Sequence, residues 1–200
     1  MSALALIAAA TTAAALAGCA STASGTDTTG KADVAGQPAS RTVAPCAAAD
    51  LAVTAGRVGI AMGHAGLALE FANTGSKACY VEGYPSVAAV LPHGELKAAQ
   101  TPDGYLGGQL PGNRPQRVTL KPGAKAVAVL EWIGLADGGA GAPSPADCPG
   151  YGATALLVTT PGASSQANAI RLAGVDTSAC AGFEIHPAIP PSESAVQITD

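Results

Sequence analysis

Apolar and polar residues alternate with period two through the middle of the chain. In AGLALEFANTG, Leu67, Leu69 and Phe71 fall on one face and Ala68, Glu70 and Ala72 on the other, the pattern of a half-buried strand. Asn73-Thr74-Gly75 then supplies a turn. Cys79 and Val81 share one face of the next strand. Gly83 and Pro85 around Tyr84 end or bend it, because proline has no amide proton for a ladder. SVAAVL resumes the extended pattern to Leu91, and Pro92-His93-Gly94 turns it. Thr101 to Gln116 is polar, rich in Gly and Pro, and predicts no strand. VTLKPGAKAVAVLEW reads as strand, turn at Lys121-Pro122-Gly123, and strand, with Ala126, Ala128, Leu130 and Trp132 on a common inward face. A second long loop, Gly134 to Gly150, holds Cys148, and TALLVTT, AIRLAGV and CAGFEIHPAI predict three more strands. No segment sustains a helical period. About eight short strands divided by turns predict an all-β fold, an immunoglobulin-like antiparallel β-sandwich.

The N-terminal part breaks this pattern. MSALALIAAATTAAALAG is apolar, carries no charge and runs through Leu16-Ala17-Gly18 into Cys19, so residues 1–18 read as a lipoprotein signal peptide and Cys19 as the thiol that is acylated. The competing reading is a membrane-spanning helix, for which the run is shorter than the roughly 20 residues required. The departure from the signal-peptide pattern is the missing basic n-region; a start upstream of Met1 would supply one. Acyl chains at Cys19 would hold the protein on the outer face of the cytoplasmic membrane. Residues 19–44, dominated by Ser, Thr, Ala and Gly without periodicity, read as a flexible tether, with O-linked glycans as a less favoured second role. Residues 45–188 are then the β domain and 189–200 a C-terminal tail.

Composition sharpens the picture. Hydrophobic residues make up 48% of the chain but aromatics only 4%, so the core rests on Leu, Val, Ile and a few rings, and staples would help it. A net charge of −4 with ten scattered Lys and Arg residues offers no footprint for a phosphate backbone, which excludes nucleic acid as the expected partner. Export exposes thiols to oxidation, so Cys46, Cys79, Cys148 and Cys180 read as two disulfides, for which three connectivities exist. A zinc site would need closely spaced cysteine pairs, and these four are too far apart.

Candidate chemistry is sparse. His64, between glycines at a strand entrance, reads first as a cap on exposed backbone and only second as a proton-responsive contact. His93 in its turn and His186 before a proline read as solvated loop residues. No two histidines lie close together and no carboxylate cluster surrounds any of them, so neither a metal nor another cofactor is expected. No Gly-x-Ser-x-Gly or convergent Ser-His-Asp set marks a hydrolase. Tyr84 and Tyr105, flanked by glycines on loops, are the binding candidates, with Tyr84 weighted toward a structural role, and the 101–116 loop is the expected binding surface. Trp132 belongs to the core.

Taken in order, Cys19, Cys46, Gly63-His64, LALEFANTG, Cys79-x-x-x-Gly83-Tyr84-Pro85, LKPGAKAVAVLEW, Cys148 and Cys180 resemble an actinobacterial family of exported proteins and lipoproteins catalogued as domain of unknown function 4232. The resemblance covers about residues 45 to 188. It implies a β-sandwich with no established activity, and it implies that Cys46 pairs with Cys79 and Cys148 with Cys180. The expected function is therefore a non-enzymatic, membrane-anchored lipoprotein module that binds an envelope protein or glycan through its loops. A small-molecule or glycan carrier is the alternative, and an envelope hydrolase ranks last.

Overall fold

The computed structural model describes residues 42–61, 63–102, 114–134, 144–163, 169–175 and 177–194. Cys19, the signal segment, the tether up to residue 41, Tyr105 and the end of the C-terminal tail lie outside them, and Ala44, read as the last residue of the tether, opens the first strand. The described residues hold no α-helix. They hold strands β1 (Ala44–Pro45), β2 (Leu51–Ala61), β3 (His64–Asn73), β4 (Cys79–Glu82), β5 (Val87–Leu91) and β6 (Gly94–Lys97). After these come β7 (Ala99–Gln100), β8 (Arg117–Leu120), β9 (Lys125–Ile133), β10 (Ala155–Val158), β11 (Ile170–Ala173) and β12 (Ala181–Ile185).

The strands form three sheets, ordered β2-β3-β9-β12-β7, β11-β10-β5-β6 and β1-β4-β8. Pairing is antiparallel except for the short pairs β1 with β4 and β12 with β7. The five-stranded sheet is one layer. Its inward face, with Leu67, Leu69 and Phe71 from β3 and Leu130 and Trp132 from β9, packs on Val87, Ala89, Leu156 and Val158 of the four-stranded sheet. A second, smaller core joins Leu51 and Ala126 of the large sheet to Cys79, Val81, Val118 and Leu120 of the three-stranded one. The expected all-β, two-layered fold is present, and Trp132 is 3% exposed.

Two features depart from the expected pattern. β3 is buried on both faces, with Ala68 at 0% and Glu70 at 1% exposure, and the outward Glu70 carboxylate is paired with Lys125, 2.9 Å from its Nζ. β2 breaks the period-two rule: Ala55 faces Leu69 while Val58 faces Leu67, so one extra residue bulges out around Gly56-Arg57. The bulge hides the strand from an alternation test.

The NTGSKACYVEGYP segment is a double staple. Asn73, 1% exposed, donates from Nδ2 to the carbonyls of Lys77 (2.9 Å) and Leu120 (3.0 Å), while its Oδ1 accepts from the Gly75 amide at 2.9 Å. Its own amide donates to the Ala124 carbonyl, so one side chain and its backbone bind the β3–β4 turn to the β8–β9 turn. Beside it, the Cys46–Cys79 bridge closes with S–S 2.05 Å, and Cys148–Cys180 closes at 2.01 Å. Both pairings are those that the family resemblance implies.

Asn73→Ala should lower stability by about 1 to 3 kcal/mol, because the buried Leu120 carbonyl and the part-buried Lys77 carbonyl lose their donor together. Asn73→Asp should cost a similar amount, since a carboxylate has no proton to give them. Urea midpoints of both variants check this, and an Asp variant as stable as the parent would show that the two carbonyl contacts contribute nothing.

Candidate functional site

The chemistry collects on the outward face of the large sheet. On β3, β9 and β12, Gly66 lies opposite Glu131 and Glu131 opposite Glu184, so Glu131 occupies the middle rung of three adjacent strands. Its neighbours Leu130 and Trp132 point into the core, which sends Glu131 to the other side of the sheet. His64 opens β3 diagonally across from it. Past the end of β12 the chain stays alongside β9: the His186 amide donates to the Val129 carbonyl at 2.9 Å, and Ile189 and Val127 exchange amide and carbonyl. That extension carries the His186 ring back to Glu131.

The three side chains form an array. Oε1 of Glu131 lies 3.3 Å from His64 Nδ1, and Oε2 lies 3.0 Å from His186 Nε2. Glu131 is 5% and His186 7% exposed, while the His64 side chain is 36% exposed and forms the wet end. Burial, reinforced by the charge of Glu184, pushes the Glu131 carboxyl up to about 8. Glu131 therefore keeps a proton at neutral pH that an exposed glutamate has lost. A neutral carboxyl can donate through one oxygen and accept through the other, which matches a nitrogen on each side. The Glu131–His186 contact is a hydrogen bond, so the array holds one proton between a carboxyl and a buried ring, with His64 at its exposed end. Among the described residues no group of three His, Cys, Asp or Glu side chains is arranged to hold a metal ion.

The sequence-predicted residues distribute unevenly over this site. His64 lies at its exposed end, with Nδ1 3.3 Å from Glu131 Oε1. His186 corrects the expectation of a solvated loop residue: the strand-like extension along β9 buries it against Glu131. His93 is exposed in its turn, as expected. Tyr84 is half-buried between β4 and β5, where its carbonyl accepts from the Gly162 amide at 3.0 Å; it is not part of the array. Glu131 was not singled out from the sequence. The available signal is a carboxylate between two inward residues in an otherwise apolar strand.

A family model described as Domain of unknown function (DUF4232) matches residues 46–187. No curated protein and no solved structure matches the chain. The matched span takes in both disulfides, His64, Glu131 and His186, and extends over most of the chain. The chain belongs to the Domain of unknown function (DUF4232) family.

Proposed function

We propose that the protein is an exported lipoprotein, acylated at Cys19, whose tether presents a non-enzymatic, immunoglobulin-like β-sandwich that binds another component of an actinobacterial cell envelope through its loops. The observation that carries this reading is the pair of disulfides in a domain with few aromatic rings. Such bridges form and persist outside the reducing cytosol. The small-residue run into Cys19 supplies an address consistent with that compartment, and residues 20–44 would let the domain search outward from its anchor. The immunoglobulin-like reading is supported by two mainly antiparallel layers with a tryptophan between them. The 101–116 loop is the proposed contact surface. Its ends are fixed, by the Thr101 amide donating to the Ile185 carbonyl at 3.1 Å and Gln116 Nε2 donating to Glu193 at 3.0 Å.

In cells fed a labelled fatty acid, the parent should take up label and fractionate with membranes, and Cys19→Ala should do neither and remain a longer precursor. Replacing residues 103–113 by a Gly-Ser linker of equal length should abolish crosslinked capture of the envelope partner with the melting midpoint unchanged. Label retained by Cys19→Ala would end the lipoprotein reading, and capture retained by the linker variant would end the loop assignment.

A further inference from the structure

A groove of about 400 Å³ opens beside the Cys148–Cys180 bridge, lined chiefly by Tyr151, Thr154, Gly174, Val175 and Ser178. Its floor and walls are fixed. The Tyr151 amide donates to the Cys148 carbonyl at 3.1 Å, the Gly150 amide to Ala179 at 2.7 Å, and the Gly174 amide to Thr154 at 3.1 Å. Gly150 can only be glycine at this approach, since an added Cβ would lie 2.7 Å from that of Ala179. The bridge and these bonds fix the backbone that carries Tyr151, and the residue itself is 50% exposed.

Two further anomalies sit at the same place. Ser178, a lining residue, has φ 31°, the one positive φ outside glycine among the described residues. The preceding Thr177 is 1% exposed, and its Oγ1 has no hydrogen-bond partner. Strained backbone and unsatisfied buried polar groups concentrate where a fold serves a ligand rather than itself. Among the described lining residues there is no carboxylate and no cation, so ion pairing cannot be the source of affinity. What remains is a flat aromatic face, hydroxyls from Thr154 and Ser178, and backbone left open by glycine. A pyranose ring has the matching surfaces, an apolar C–H face for the ring and a rim of neutral hydroxyls.

We propose that this groove is a saccharide-binding site, with Tyr151 as the stacking platform, and that the ligand is a glycan of the cell wall. The assignment rests on the reading of the domain as an envelope-binding module and names the chemistry of one component it holds.

The test is cosedimentation of the whole folded domain with protein-free wall sacculi, and with sacculi stripped of attached neutral polysaccharide by mild acid. The parent should sediment with the first. Retention on stripped sacculi as well assigns the site to the amino-sugar backbone; loss assigns it to the attached polysaccharide, and both support the proposal. Tyr151→Ala, at a half-exposed position, should keep the parental melting midpoint and weaken retention by about two- to tenfold, the order expected for one lost stacking contact. Thr154→Trp obstructs the groove from a second element and should do the same. Absence of parental retention, or unchanged retention by both variants, overturns the assignment. If sacculi fail to bind while crosslinked capture through residues 103–113 succeeds, the groove proposal falls and the module reading stands; if both fail, both fall.

Discussion

Glu131→Gln should flatten the pH dependence of folding stability between about pH 4.5 and 8 and leave the variant more stable than the parent at the alkaline end. The folded parent holds the Glu131 proton to about pH 8, whereas an unfolded chain releases it near 4.5. Between those values the unfolded state binds fewer protons, so stability falls as pH rises, is fully penalised above 8 and carries no penalty below 4.5. The loss accumulated over that window is roughly 3 to 5 kcal/mol. Glutamine keeps the shape, with one donor and one acceptor like the neutral acid. The groups that face Glu131 are His64 from β3, Glu184 from β12 and His186 from the extension of β12. A positive charge on either imidazole works against the shift, so the difference between parent and variant, not the parent's curve alone, isolates Glu131. Urea titrations at intervals from pH 4.5 to 8.5 give that difference. Parallel curves for parent and variant would mean that Glu131 is ionised throughout and that the array stores no proton.

Loss of either disulfide should be of similar size. Each bridge spans 33 or 32 residues, for which constraint of the unfolded chain gives roughly 3 to 4 kcal/mol. In a domain of this size that is on the order of 10 °C in melting temperature. Cys148→Ala with Cys180→Ala should show this loss. Cys46→Ala with Cys79→Ala should show more, because Cys79 also packs in the small core with Val81, Val118 and Leu120. Calorimetry of each double variant, with the other bridge intact, separates them. A melting temperature within about 2 °C of the parent would show that the unfolded chain is already confined without the bridge.

These two effects mark where the sequence is readable and where it is not. β3, β4 and β9 announce themselves because their inward residues alternate locally, and the turn at Asn73 is a short-range signal. β2 escapes notice because its bulge shifts the phase midway, and β1 and β7 because a two-residue parallel pair has no pattern of its own. Cysteine pairing became readable only through family resemblance, since four cysteines alone leave three choices. The His64–Glu131–His186 array is assembled by strand register: its members are 67 and 55 positions apart, and each looks ordinary in its own segment. His186 looks solvated from its neighbour Pro187, but the backbone bonds to β9 decide its surroundings.

The Cys46–Cys79 bridge also sets how the molecule answers a pull. All of β2 and β3, the backbone of the large sheet, lies within the covalent loop that the bridge closes. Tension applied anywhere upstream reaches β1, whose two residues peel from β4, and then meets the sulfur–sulfur bond. From there the load enters β4 directly and bypasses the whole of β2 and β3. Neither strand can be unzipped from its N-terminal end while the bond is closed, so the extension available under force is short by the length of that loop. A domain held to a surface by its N-terminus thus carries its most buried strand outside the path of mechanical strain.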